Sequence, residues 1–327
     1  MKRKIKKYRF ESSIYPQLKP LFKLDNWHCW LAFGENCLVI GLAIWLSYCL
    51  SWYLYPVTIV LIGSRQRALA TLLHEASHQA IAKNKTLNLI MGTFLSGYLI
   101  FQSMSSYSKS HVEGHHNHLG DPEKDSDYKF ALSQELYGQE LESKTFYWRY
   151  IISPLLFLKV PQYIKSLLVS RLLEQKNYLE TCVMLLWWLM IISLSIAGDL
   201  WKELILFWLV PYLTFFQIIG WFIELAEHYP LMDNQINLYM SRNRHSQLIE
   251  RFLTGMHNET YHLVHHLFPS IPFWNTPKAH VILMQDVNYT EHDRQSGGIF
   301  WSDNDAPSIL LMKQPNYTSS VIAEVNK

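Results

Sequence analysis

The sequence predicts an all-α integral membrane protein in which four transmembrane helices carry a helical cytoplasmic cap. Three observations predict it. Only 17% of the 327 residues are charged and 49% are hydrophobic, where soluble domains carry roughly 25% charge. Apolar runs long enough to cross a bilayer recur along the chain. Between them histidines gather in three clusters at helical spacing: His74 and His78 in HEASH, His111, His115 and His116 in HVEGHH, and His262, His265 and His266 in HLVHH.

Taken in order, residues 1–30 form a basic N-terminus. Lys2, Arg3, Lys4, Lys6, Lys7 and Arg9 assign it to the cytoplasm by the positive-inside rule. A nucleic-acid arm is a poor alternative, because no basic domain follows. Residues 31–73 are too long for one crossing of ~20 apolar residues and divide near Leu50–Tyr53 into a transmembrane hairpin. Residues 74–180 hold the first two clusters in a cytoplasmic or interfacial region. Within it, Leu87–Phe101 reads as a re-entrant or interfacial helix. Phe146–Ile164, with Trp148, Arg149, Pro154 and Pro161, reads as a headgroup-level segment. Residues 181–223 form a second hairpin: Thr181–Ala197, a polar turn at Gly198–Glu203, and Leu204–Ile223, which Pro211 is expected to kink. Residues 224–327 return to the cytoplasm with the third cluster and a capping tail, whose last ten or so residues are expected to be disordered. The whole is one domain. Cys29, Cys37, Cys49 and Cys182 lack paired spacing and read as free packing thiols.

Parity tests this layout. With the N-terminus inside, each hairpin returns the chain to the cytoplasm, so all three clusters and both termini share one face. A single long first span would divide the clusters between the two sides.

The clusters carry the chemistry. On an α-helix, residues four apart share a face, so His74/His78, His111/His115 and His262/His266 each present two nitrogens in one direction. Neighbours such as His115–His116 and His265–His266 splay by roughly 100°, which lets one cluster serve two metals. Imidazole suits zinc, copper, iron and nickel alike. Ligand number is more selective, because one tetrahedral zinc takes four ligands and cannot use eight. Two metals with four or five ligands each can, and this fits a pair of iron ions with positions open to oxygen.

These residues resemble the membrane fatty acid desaturases and hydroxylases. HEASH is similar to that family's first histidine box, SHVEGHHNHLGDPEKDSD to its second with the acidic stretch that follows, and YHLVHHLFPSIPFWN to its third. The match covers most of Leu61–Trp274. The resemblance implies a mushroom-like helical fold and a di-iron centre held almost wholly by histidine. It further implies O2-dependent oxidation of an unactivated C–H bond. By that resemblance His74, His78, His111, His115, His116, His262, His265 and His266 become iron ligands. His228, in Glu224-Leu-Ala-Glu-His228 after the last span, becomes the ninth. Some relatives place an asparagine where this chain has Glu224, which is a departure at a contact made to iron through water. His118 and His257 are expected in supporting or packing roles. Asp121 and Asp125 are the acids best placed to orient ligating rings.

The leading expectation is a fatty acyl or acyl-lipid desaturase, with a hydroxylase or oxygenase of a specialised small substrate as the alternative and carotenoid oxygenation as a lesser one. Its cosubstrate would be O2, and its electrons would come from ferredoxin or a b-type cytochrome, since no haem, iron–sulfur or flavin motif is present. Two rival classes explain less. His74-Glu75-Ala-Ser-His78 matches the HExxH pattern of zinc proteases, but one zinc leaves the other two clusters without a role. A metal transporter would line its spans with ligands, whereas these clusters lie outside them.

Overall fold

Helices of the first hairpin set the frame on which the histidines are mounted. In the computed structural model, which describes residues 5–138, 142–169 and 177–310, the chain is helical, and no strand occurs among those residues beyond two isolated bridges. Lys2, Arg3, Lys4 and the C-terminal ten residues lie outside the described residues.

Helix α1 (His28–Leu50) is apolar apart from a few positions such as Glu35 and Asn36 and leaves Leu31, Leu38, Leu42 and Trp45 exposed, as a lipid-facing helix would. It stops where the sequence predicts, because Ser51 adopts an extended backbone (φ −170°, ψ 137°) and Pro56 starts the next helix. Helix α2 (Tyr55–Ser77) runs back along it. Thr58 donates to the Ala43 carbonyl at 2.8 Å and meets Ser47 at 2.7 Å, while Arg65 faces Glu35 at 3.5 Å, so the pairing is antiparallel.

The second predicted span differs from expectation in composition. Among the described residues three helices are long and apolar enough to cross a membrane, and α2 is not one of them. Its C-terminal half, which carries Arg65, Gln66 and Arg67, is enclosed by protein instead of lipid. Arg65 donates to the Phe252 carbonyl and to Ser64, and lies 4.5 Å from the Phe252 ring centroid. Burying a guanidinium without such partners would cost several kcal/mol, which explains why this helix is the one wrapped by others.

Leu87–Phe101 is not a straight crossing. Helix α3 (Lys85–Ile100) ends at Phe101, whose φ of 54° is left-handed, and α4 (Met104–His116) departs at 92° to it. Much of this bent pair is buried against α2 through Met91, Ile100 and Met104. The remaining apolar helices are α5 (Tyr178–Ala197) and α6 (Trp201–Asp233), joined by the predicted turn with Asp199 at φ 52°. Near Pro211, α6 is interrupted at Thr214 (φ −117°, ψ −90°), and it then runs regularly as Phe215–His228. It packs tightly on α2: a Cβ on Gly63 would stand 2.7 Å from the Phe215 Cβ and 2.9 Å from the Phe216 nitrogen.

The chain after α6 folds over the far ends of α2, α4 and α6. Helix α7 (His262–Leu267) lies on a core that includes Phe10, Leu18, Leu238 and Tyr289, so the N-terminal segment helps close the cap. Each such apolar side chain, once fully buried, contributes about 1.5–3 kcal/mol. Glu250 ties down the tail by accepting from the backbone N–H groups of Ile299, Phe300 and Trp301 at 2.6–2.9 Å.

Candidate metal centre

All nine predicted histidines converge, although they come from four separated segments. His74 sits in the last turn of α2 and His78 at its C-cap, His228 ends the regular part of α6, and α7 supplies His262, His265 and His266. They divide into two adjoining groups. His74, His78, His111, His116 and His265 offer nitrogens that all lie within 4.8 Å of one another, and so do His115, His228 and His266. His262 joins the second group, with its Nε2 2.8 Å from that of His228 and 2.9 Å from that of His266. The groups touch where the His116 and His266 rings stack, centroids 4.4 Å apart.

The pairing in the second cluster corrects the sequence expectation. His111 and His115 do not point together. Ser108–His116 is a π-helix, whose wider turn is shown by the Asn117 N–H bonding to the carbonyl of Val112, five residues earlier. Residues five apart therefore align, so His111 meets His116 (Nε2–Nε2 3.1 Å) while His115 turns toward His266 at 3.4 Å. The wide turn is what divides three consecutive-box histidines between two groups, and such turns recur at functional sites. In α7 the α-helical expectation holds: His262 and His266 share one group, and His265 splays to the other, 3.1 Å from His116.

The outer nitrogens of several rings are fixed by acceptors. His115 Nδ1 donates to Asp125 at 2.9 Å, His262 Nδ1 faces Glu227 at 3.2 Å and His228 Nδ1 faces the Met240 carbonyl at 3.2 Å. Glu75 lies 3.4 Å from His74 Nδ1 and 3.9 Å from His265 Nδ1, and it also accepts from the Phe273 N–H at 3.0 Å. A neutral ring that donates from Nδ1 keeps a lone pair on Nε2. The Nε2 atoms then face one another at 2.8–3.4 Å, and lone pairs at that range repel unless a cation lies between them. With metal–nitrogen bonds of about 2.1 Å, two ligands at right angles stand ~3 Å apart, so these separations fit metal ligation. His78 Nε2 is buried without a hydrogen-bond partner among the described residues. Burial holds His78 down to about 4 and pushes His262, His265 and His266 well below the ordinary imidazole value, so these rings are neutral and ready to ligate at neutral pH, whereas Asp127 and Asp125 hold His115 up at about 9 against burial.

The remaining predicted residues separate by position. Asp125 is fully buried and also caps the helix Ser126–Ser133 through the Asp127 and Tyr128 N–H groups. Asp121 does not reach a ligand ring; it accepts from the Glu123 and Lys124 N–H groups and shapes the loop. His118 turns outward to the Glu113 carbonyl and Lys124. His257 is buried, 3.1 Å from Asn36 and packed on Phe273. Glu224 lies 3.5 Å from Arg67, which pairs more closely with Glu259 at 2.6 Å. Sequence reasoning missed Glu227, which bridges His262 and Arg244 (2.9 Å), and Asn243, which accepts from the Leu263 N–H at 3.0 Å at the start of α7. The one signal for Glu227 was its place beside His228; Asn243 carried none.

A cavity of about 360 Å³ adjoins the histidines, lined by His111 and His228, one from each group, and by Arg67, Glu224, Phe216 and Trp221 among others. The fatty acid desaturase family model matches residues 50–295, a stretch that contains every histidine of both groups. The chain belongs to the fatty acid desaturase family. It is 38% identical to dihydrorhizobitoxine desaturase of Bradyrhizobium elkanii over 89% of its own length and 85% of the relative's. It is 24% identical to an endoplasmic reticulum acyl-lipid omega-3 desaturase (cytochrome b5) of Arabidopsis thaliana, over 82% of its length and 78% of that protein. A ferredoxin-linked sn-1 acyl-lipid omega-3 desaturase of Nostoc sp. is also 24% identical, with coverage of 76% and 72%. Membership supports an oxidoreductase of desaturase type in a membrane protein and removes the basis for the HExxH protease reading. In that reading Glu75 would activate water, whereas here it is 4% exposed and engaged by ring and backbone N–H groups.

Proposed function

We propose that this chain is an O2-dependent di-iron desaturase that removes two hydrogens from adjacent saturated carbons of a substrate lodged in the cavity beside His111 and His228. The observation that carries the reading is the division of nine histidines into groups of five and four whose ring nitrogens face one another. In it, His74, His78, His111, His116 and His265 would hold one iron, and His115, His228, His262 and His266 the other. When bound, the iron pair supplies the oxygen activation needed to attack an unactivated C–H bond.

The rest is the work of side chains. Asp125, Glu227 and Glu75 fix ring orientation, which in metal sites tunes affinity by 10–100-fold. Phe216, Trp221 and Leu225 exclude water from the cavity wall, and positioning of the carbon pair decides desaturation over hydroxylation. Electrons would come from ferredoxin or a b-type cytochrome, the donors that the names of two relatives carry. The boxes and both termini would face the cytoplasm.

For the substrate, the 38% identity to a dihydrorhizobitoxine desaturase favours a small molecule of that kind over an acyl lipid. An acyl chain is the second reading, favoured by the apolar part of the cavity wall at Phe130, Leu136 and Met232. Incubating the iron-loaded enzyme, a donor system and O2 with dihydrorhizobitoxine or with labelled acyl lipid tests both. The reading expects a product two hydrogens lighter from the first. A product one oxygen heavier, or none with either, would overturn it.

A further inference from the structure

The cavity wall carries more charge than an alkyl chain can use. Apart from the histidines, three of its residues are of types charged at neutral pH: Arg67, Asp127 and Glu224. Two of them already have close partners. Arg67 is 2.6 Å from Glu259 and its side chain is only 10% exposed. Asp127 lies 3.4 Å from His115 Nδ1 and accepts from the Ser126 hydroxyl at 3.1 Å.

Glu224 is different. Its side chain is 52% exposed, the charged partner it meets among the described residues is Arg67 at 3.5 Å, and that guanidinium is shared with Glu259. Glu224 lines the cavity, and also a smaller chamber bordered by His74, His115 and His262. Around Arg67, two carboxyl groups share one guanidinium. Gly220, one helical turn before Glu224, lies against the Arg67 side chain: a Cβ there would meet it at an ordinary contact distance of 3.8 Å. Tyr107 and Trp221 line the same cavity, and aromatic rings favour a cation close by.

We propose that Glu224 binds an ammonium group of the substrate, so that this enzyme acts on a small amine-bearing molecule whose carbon chain lies along the apolar wall toward His111 and His228. This deepens the desaturase reading and rests on it. Arg67 holds Glu224 in place and does not itself capture an anion, since its charge is taken by Glu259.

The test uses the full chain in nanodiscs, loaded with iron, and three probes of one shape: hexylamine, hexanol and hexanoate. At pH 7 they are cationic, neutral and anionic in turn. Affinity is read from quenching of tryptophan fluorescence, and iron per chain is measured alongside. Hexylamine is expected to bind at least tenfold more tightly than hexanol, with hexanoate weakest. Glu224→Gln is expected to bring amine and alcohol within about twofold while iron content stays the same. Glu224→Asp, which keeps the charge, is expected to keep the amine preference. Equal affinities in the native enzyme overturn the proposal, as does a preference for hexanoate. So does an amine preference that survives Glu224→Gln, or a loss of iron in that variant, which would make Glu224 a metal contact. An amine preference in an enzyme that yields no unsaturated product from any donor would sink the reaction and leave the binding site standing.

Discussion

Replacing Asp125 tests whether the carboxylates behind the rings maintain the centre. Its Oδ1 accepts from His115 Nδ1 at 2.9 Å and from the Asp127 and Tyr128 N–H groups at 3.0 and 3.1 Å; its Oδ2 accepts from the Gly120 N–H at 2.8 Å. Gly120 has φ of +73° and a Cβ there would stand 2.6 Å from the Met232 carbonyl, so the loop has little room to readjust. Asp125→Ala removes a helix cap worth ~1 kcal/mol. It also removes a charge-assisted bond to His115 of about 1.5–3 kcal/mol and leaves a buried N–H unpaired, at about 1–3 kcal/mol. Together these approach about 5 kcal/mol, a large part of an ordinary folding stability of about 5–15 kcal/mol. Asp125→Asn is milder: one amide oxygen can still cap Ser126–Ser133 and meet His115 without a full charge, while its NH2 replaces the oxygen that accepts from Gly120. The alanine variant is expected to unfold at a markedly lower temperature in detergent. The asparagine variant is expected to fold and to lose iron to a chelator at about 10–100-fold lower chelator concentration. Native iron retention in Asp125→Asn would refute the role given to this carboxylate.

Three further outcomes are expected. His116→Ala, at the junction of the two groups, is expected to abolish turnover and lower bound iron, whereas His118→Ala, two residues on and turned outward, leaves both unchanged; metal analysis of the pair checks this. Gly63→Ala forces α2 from α6, since its Cβ meets backbone at 2.9 Å, and overpacking of this kind costs about 1–3 kcal/mol, visible as a lower melting temperature. In the cap, His245 and Asp293 pair at 3.0 Å, with the His245 value raised by the Asp293 hydrogen bond and charge against the opposing effect of burial, and the Asp293 value lowered by its bonds to His245 and Asn243 despite burial. The His245 contribution is full below its unfolded value and fades as pH rises through the raised folded one. The Asp293 contribution fades as pH falls through its depressed value. Asp293→Asn is therefore expected to destabilise the protein more at pH 6 than at pH 9, as thermal unfolding at the two pH values will show.

The hairpins and the three clusters were legible because they depend on local rules. Apolar length gave α1, α5 and α6, and the break near Leu50–Tyr53 follows from the Ser51 and Pro56 backbone. Two matters were not legible. The partition of His111, His115 and His116 depends on a π-helical turn, and nothing in HVEGHH announces a turn wider than the α-helix. The composition of α2 follows from tertiary enclosure: Arg65 and Arg67 are tolerable only because Phe252, Glu35, Glu224 and Glu259 reach them from distant segments. For the same reason Glu227 and Asn243 escaped notice, since their partners are known only once α7 is placed against α6.

Anomalous X-ray scattering at the iron absorption edge, from crystals of the iron-loaded protein, tests the central claim most directly. Two peaks are predicted, one among His74, His78, His111, His116 and His265, the other among His115, His228, His262 and His266. A single peak, or iron bound away from these rings, would contradict it.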